Sequence, residues 1–399
     1  MNVNLLDLYG GGHHRSYVEM LCDFWVRRVP DGVLRVFISS AFVETFDDLF
    51  DRFGERIDFH TLAAAGVPSH GTHSRRAQVQ LNRAYLRALK EISGAYDGPI
   101  VLLHLDHALL AAARFSGHPE SVSGIYIRAP FREQGDGLAS RAKLRLKRRL
   151  LGRAVQNRAI QRVFCLDPTV VGEVDGLAHR PVATALPDGI QLTSPSLSRV
   201  EQRSVLGATE RTRVLLLFGV VSRRKGIVEL CDALRSMSPQ HRDQCLLVVA
   251  GQWLDSDRSL ISAALGELQG SVRVVEIDSF VPDQDMASLF EATDVVLVPY
   301  TADHLGSSGI LVRAAATGTP VIGPANGLVS EYITTHRLGQ TTDPRDRAGF
   351  ARTLETAIDD PRTAFDLGSA LAFGEANSSD RFAETIYSGI GCPIGQGDA

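Results

Sequence analysis

Phe290-Glu-Ala-Thr-Asp-Val-Val-Leu-Val-Pro-Tyr300-Thr-Ala-Asp-His-Leu-Gly306-Ser-Ser-Gly-Ile-Leu-Val-Arg-Ala-Ala-Ala-Thr-Gly318-Thr-Pro-Val-Ile-Gly323 is the stretch that decides the fold. It predicts a helix ending near Ala292 and a buried strand over Val295 to Val298. A loop of small residues then opens a second helix, which Gly318 closes, and another strand starts at Pro320. A small-residue loop between a strand and a helix N-terminus suits phosphate. Unpaired backbone N–H groups and the positive end of the helix dipole point at one spot.

Working outward, the second half restarts with the apolar run Arg213–Phe218. Further strands are expected at Cys245–Ala250, 272–276 and 320–322, with helices between them. The first half alternates in the same way. Strands are expected at 3–8, 34–39, 100–105, 124–127 and 163–166, with helices at 15–29 and 78–92. Strands alternating with helices imply parallel βαβ units. Pro, Gly and Ser concentrate between Leu186 and Ser198, so a boundary is expected near 187–210. The division reads as a first domain over 1–187, a linker over 188–210, a second domain over 211–378, and a final helix and tail over 379–399.

The 399 residues suit two domains of roughly 100–200 residues each. A hydrophobic share of 44% and a charged share of 22% are ordinary for a globular protein. The net charge of -4 argues against nucleic acid as the main partner. Cys22, Cys165, Cys231, Cys245 and Cys392 show no metal or redox spacing and suit a reducing compartment. The N-terminus lacks a basic start and a long apolar run, so neither a signal peptide nor a membrane span is expected.

Two segments carry a family resemblance. Met286–Tyr300 with Ala314–Ile322, and Gly219-Val-Val-Ser-Arg-Arg-Lys-Gly226, resemble the donor half of GT-B glycosyltransferases, most closely family 4. The resemblance covers about 211–390 well and the first half in element order and two loops. It implies a GT-B fold of two Rossmann-like doubly wound domains with a cleft between them. It also implies sugar transfer from a nucleotide-diphosphate sugar to an acceptor, with retention and without a metal. The donor is a substrate, so no cofactor is expected. A helix at 379–399 returning to the first domain follows from the same resemblance.

The family's Gly-Arg-x-x-x-x-Lys-Gly pattern assigns Lys225 to the donor diphosphate. Val220 stands where the family has Arg, and Arg223 and Arg224 lie in the same loop as replacement cations. Ser307, Ser308 and Gly309 are expected to bind the donor through hydroxyls and backbone; the alternative is a serine cap on a tight turn. The family's two glutamates, eight positions apart, fall at Leu305 and Arg313, so both acids are missing. Asp303 lies near the first position, and Glu331, in a turn similar to the family's Gly-Gly-x-x-Glu, is the nearest remaining carboxylate.

In the first half, Gly10-Gly-Gly-His-His-Arg-Ser joins the first strand to the first helix. Gly11 and Gly12 permit close approach to the donor. His13, His14 and Arg15 are candidate acceptor ligands, and adjacent histidines are poor metal spacing. The strand 100–105 ends in His104, Asp106 and His107, where α/β folds place reactive side chains. The family resemblance favours His107 as the catalytic contact to the donor sugar, with His104 and Asp106 as alternates. The basic run Arg141–Arg153 is read as a solvated helix or a peripheral contact to the inner face of a membrane. Two rival functions remain open: a degenerate scaffold that binds a nucleotide sugar or partner without turnover, and a nucleotide-sugar epimerase, which needs cleft carboxylates this chain offers sparingly.

Overall fold

The computed structural model describes residues 1–9, 14–40, 43, 46–63, 75–127, 131, 137–301 and 305–395. The chain divides into two compact units, Met1–Gly189 with Ser379–Ala399, and Ile190–Ser378.

The first unit holds β1 (Val3–Asp7), β2 (Leu34–Ser39), β3 (Asp58–Leu62), β4 (Ile100–Leu102), β5 (Val122–Tyr126), β6 (Ile160–Cys165) and β7 (Ala183–Ala185). They form one sheet in the order β3-β2-β1-β4-β5-β6-β7, and every pairing is parallel. The central strands are covered on both faces, so β1 is buried at all five positions, Asn4 and Asp7 included, and shows no alternation. Its side chains still divide by parity. Val3 and Leu5 enter one core with Leu21, Trp25 and Tyr387; Leu6 and Leu8 enter the other with Leu81, Leu89 and Leu109. Each such fully buried side chain contributes about 1.5–3 kcal/mol.

The last helix, Ser379–Gly389, packs on His14–Arg28 within this unit. The buried Tyr387 hydroxyl donates to the Leu21 carbonyl at 2.9 Å, and Arg27 pairs with Asp380 at 2.5 Å.

The second unit holds β8 (Arg213–Phe218), β9 (Cys245–Ala250), β10 (Arg273–Ile277), β11 (Val295–Leu297), β12 (Val321–Pro324) and β13 (Gly339–Thr342). The order is β10-β9-β8-β11-β12-β13, again parallel throughout. The sequence order reverses between β8 and β11, which is where ligands bind in open α/β sheets.

Three expectations change. The span 188–210 is not a spacer. Ile190 bridges Ser378, and Arg199–Val205 is a helix inside the second unit. The serines that looked like linker composition are engaged in hydrogen bonds within the second unit. Ser198 forms a capping box with Glu201, and Ser196 bonds Asp285 at 2.7 Å. The strand expected to run to Leu105 stops at Leu102, and a helix covers Leu105–Arg114. Asp106 and His107 therefore sit in a first helical turn. Three edge or near-edge strands, β3, β7 and β13, escape the hydrophobic reading because they are short and only partly buried.

Candidate functional site

At the carboxyl end of β8 the chain turns through Gly219, whose φ is 101°. A short turn over Arg223–Lys225 follows, then Gly226 at φ 71° and the helix Ile227–Ser236. Gly226 is required twice over. Its left-handed φ disfavours a side chain, and a Cβ there would stand 2.0 Å from the Pro299 carbonyl oxygen. That close approach brings the loop after β8 against the loop after β11. The Thr301 amide donates to the Arg224 carbonyl at 3.1 Å across the same seam.

Lys225 is folded inward, only 5% exposed, and its Nζ donates to the Phe218 carbonyl. Its Nζ stands 5.6 Å from the Tyr300 ring centroid. Burial, then the neighbouring Arg224 charge, lowers its pKa to about 7. Arg224 is exposed and stands over the same ring at 5.5 Å. Arg223 is exposed, and its backbone amide donates to Asp257 at 2.9 Å. No partner is seen for its guanidinium among the described residues.

On the β11 side, Tyr300 is 4% exposed, and its hydroxyl lies 2.8 Å from that of Ser308. The Ser308 hydroxyl also accepts from the Leu311 amide at 3.4 Å and caps the helix Gly309–Ala316. The cap reading of Ser308 thus describes its side chain, while partly exposed Ser307 stays accessible. Gly306 and Gly309 have no positive φ, and a Cβ at either would meet nothing within 4 Å. Neither backbone strain nor packing calls for glycine there. An open approach to the first-turn amides is what the two glycines provide.

The two positions that lack the family's acids have other work. The Leu305 carbonyl accepts from the Leu328 amide at 3.1 Å, and a Cβ on Gly327 would come within 3.1 Å of Leu305 Cα. Arg313 donates to the Gln191 carbonyl at 2.9 Å, and burial lowers its pKa. Leu305 therefore packs on the turn after β12, and Arg313 ties the 190s segment to the helix. Glu331 is exposed in the helix Gly327–Thr335. Asp303 lies outside the described residues.

In the first unit, Gly11, Gly12 and His13, with the side chain of His14, lie outside the described residues. Arg15 is engaged by Glu19 at 3.1 Å and by Asp48. The ends of β1 and β4 bring together an aromatic cluster that the sequence reading only half anticipated. Tyr9 stacks on His107 at 4.7 Å, His107 lies 5.9 Å from His104, and Tyr17 lies 6.0 Å from His104. Asp106 accepts from the Ile127 amide at 2.8 Å. Burial, then Asp188 and Asp106, raises the Tyr17 pKa, so its phenol stays protonated. Of the alternates, His104 is buried and His107 is partly exposed. Tyr9 and Tyr300 after strands and Tyr17 within the helix His14–Arg28 were missed because a tyrosine there carries no local pattern that separates it from core.

Comparison with known proteins gives the same picture from outside. Residues 198–372 match the family model described as Glycosyl transferases group 1. A D-inositol 3-phosphate glycosyltransferase of Arthrobacter sp. (strain FB24) is 34% identical over 193 residues, 47% of this chain and 44% of that protein. A 2-deoxystreptamine glucosyltransferase of Streptomyces kanamyceticus is 26% identical over 302 residues, 71% of this chain and 75% of that protein. The chain spans about half the length of the first curated relatives it matches. Among solved structures, Anabaena HepE in complex with UDP and glucose superposes with a TM-score of 0.69 at 18% identity, covering 98% of this chain and 99% of that one. Sucrose-phosphate synthase from Thermosynechococcus elongatus gives 0.72 at 16% identity, covering 97% of each chain. The fold is GT-B.

Proposed function

We infer, from a C-terminal unit that belongs to the group 1 glycosyl transferases, that this chain moves a sugar from a nucleotide-diphosphate donor to an acceptor. The observation that carries the reading is Tyr300. It bridges buried Lys225 on one loop and Ser308, the cap of a helix N-terminus, on the next. A diphosphate at that seam meets a cation and open helix amides together. The named structural relative was solved with UDP, which supports a donor of this class.

The chemistry this supports is electrostatic. As the bond from sugar to phosphate breaks, negative charge grows on the leaving diphosphate. Lys225, Arg223 and the first-turn amides of Gly309–Ala316 stabilise that charge without a resident metal. Ser307 and Gly309 line the approach, and Glu331 accepts from donor hydroxyls. We assign donor-sugar contact to His107, and the acceptor to the first unit's strand ends near His13, His14 and Arg15. Gly11 and Gly12 are kept as donor ligands on their sequence alone. Retention follows from the family resemblance, and the lack of a well-placed carboxylate nucleophile in the sequence agrees with a front-face route. The acceptors in the names of the two curated relatives are the first to screen. All five cysteines are free and buried, which suits work in a reducing cytoplasm.

Leu305 and Arg313 favour a second reading, a scaffold that binds nucleotide sugar without turnover. Release of nucleoside diphosphate decides between them. Release that requires an acceptor supports transfer. Donor binding with no release across the acceptor panel puts the scaffold first, and inversion in the product's anomeric analysis removes the retaining route.

A further inference from the structure

The helix Leu138–Val155 holds Arg141, Lys143, Arg145, Lys147, Arg148, Arg149 and Arg153, and no acidic residue. This concentration stands out in a chain whose net charge is -4. Leu151, Ala154 and Val155 face the core of the first unit and are fully buried. The opposite face is not simply polar. Residues four apart share a face of a helix, which aligns Leu138, Ala142 and Leu146 in one stripe and Arg145, Arg149 and Arg153 in the next. Leu138 is 87% exposed and Leu146 58%. Arg148 pairs with Glu173 at 3.3 Å and also covers Phe131 at 4.9 Å.

A helix that only faces water gains nothing from two exposed leucines beside an arginine stripe. A nucleic acid or a soluble anion would answer the arginines and leave the leucines wet. An anionic lipid surface answers both: headgroup charge pairs with Arg145, Arg149 and Arg153, and the leucines enter the boundary between headgroups and acyl chains. We propose that the outer face of Leu138–Val155 docks the first unit on an anionic membrane surface. The contact is peripheral, since no helix among the described residues is long and apolar enough to cross a bilayer.

Sedimentation with vesicles tests this on the full chain, independently of any sugar transfer. The protein should sediment with vesicles of equal parts phosphatidylglycerol and phosphatidylcholine, and not with phosphatidylcholine alone. Added salt should weaken binding. At about 1 kcal/mol for each basic residue near the surface, Arg145→Glu with Arg149→Glu should lower the partition coefficient by about thirtyfold or more. Leu138→Ser with Leu146→Ser should lower it several-fold while keeping the salt dependence. If the charge-reversed protein melts early, Arg145→Gln with Arg149→Gln carries the same test. No sedimentation with the anionic vesicles overturns the proposal. So does binding that neither pair of substitutions alters, or retention of duplex DNA by wild type and leucine variant alike without vesicle binding.

Discussion

The hydroxyls of Tyr300 and Ser308 lie 2.8 Å apart, both in buried residues. Through that one contact the end of β11 holds the helix cap at a fixed place, while the Tyr300 ring covers Lys225 at 5.6 Å. Two loops proposed to hold the donor diphosphate, from separate stretches of sequence, are therefore set by one side chain.

Tyr300→Phe keeps the ring over Lys225 and removes the hydroxyl. Ser308 retains its bond to the Leu311 amide, so the stability loss should be modest, about 1 kcal/mol. Donor affinity should fall by more than that alone explains, because the cap is no longer tied to the strand end. A melting curve and a nucleotide titration on the same variant check it. Unchanged affinity would reduce Tyr300 to a packing residue.

Ser307→Ala and Ser308→Ala should separate ligand from scaffold. Ser308→Ala removes a cap and should cost about 1 kcal/mol of stability. Ser307→Ala, which leaves the cap in place, should lower the melting temperature less than Ser308→Ala and weaken donor binding more. Equal melting shifts in the two variants would contradict the assignment.

Gly226→Ala should destabilise strongly. The Cβ would meet the Pro299 carbonyl oxygen at 2.0 Å in a left-handed backbone, so the two loops must part. The cost expected is about 1–3 kcal/mol or more, read as a lowered melting temperature together with weakened nucleotide binding.

Lys225 gives the pH dependence. Its pKa drops from the ordinary 10.5 to about 7 on folding. Above the unfolded value both states are neutral and nothing is lost. As pH falls from there to about 7, the unfolded chain takes a proton that the native state refuses, so native stability declines; below that window the loss is constant. A bound diphosphate reverses the preference and charges the ammonium. Donor binding should take up protons above pH 7, and affinity should weaken as pH rises, by at most about tenfold per unit. Calorimetry in buffers of different ionisation enthalpy measures the uptake. Lys225→Met should abolish it.

Much of this was legible in the sequence because burial writes itself plainly. β8, β9 and β2 keep the limits their apolar runs suggested, since parallel strands covered on both faces are apolar at nearly every position. Gly226 and Gly318 mark left-handed turns where the reading placed loop and helix end. Edge strands such as Asp58–Leu62 carried no such signal. The candidate site drew notice in the sequence where the proposed chemistry needs a residue type, as with Lys225, which the structure places buried beside Tyr300. It was unreadable where a residue acts by position: Tyr300, Tyr9 and the tie from Arg313 to Gln191 depend on which loops meet.

The most direct test is a calorimetric titration of UDP, GDP and ADP, with EDTA present, into the wild type and Lys225→Met, which fills similar space without the charge. One nucleoside diphosphate should bind the wild type, and the variant should bind it at least about tenfold more weakly, as loss of a charged phosphate contact requires. Equal binding by both proteins, or no binding of any nucleoside diphosphate, would contradict a donor diphosphate seated at Lys225 and the Ser308-capped helix.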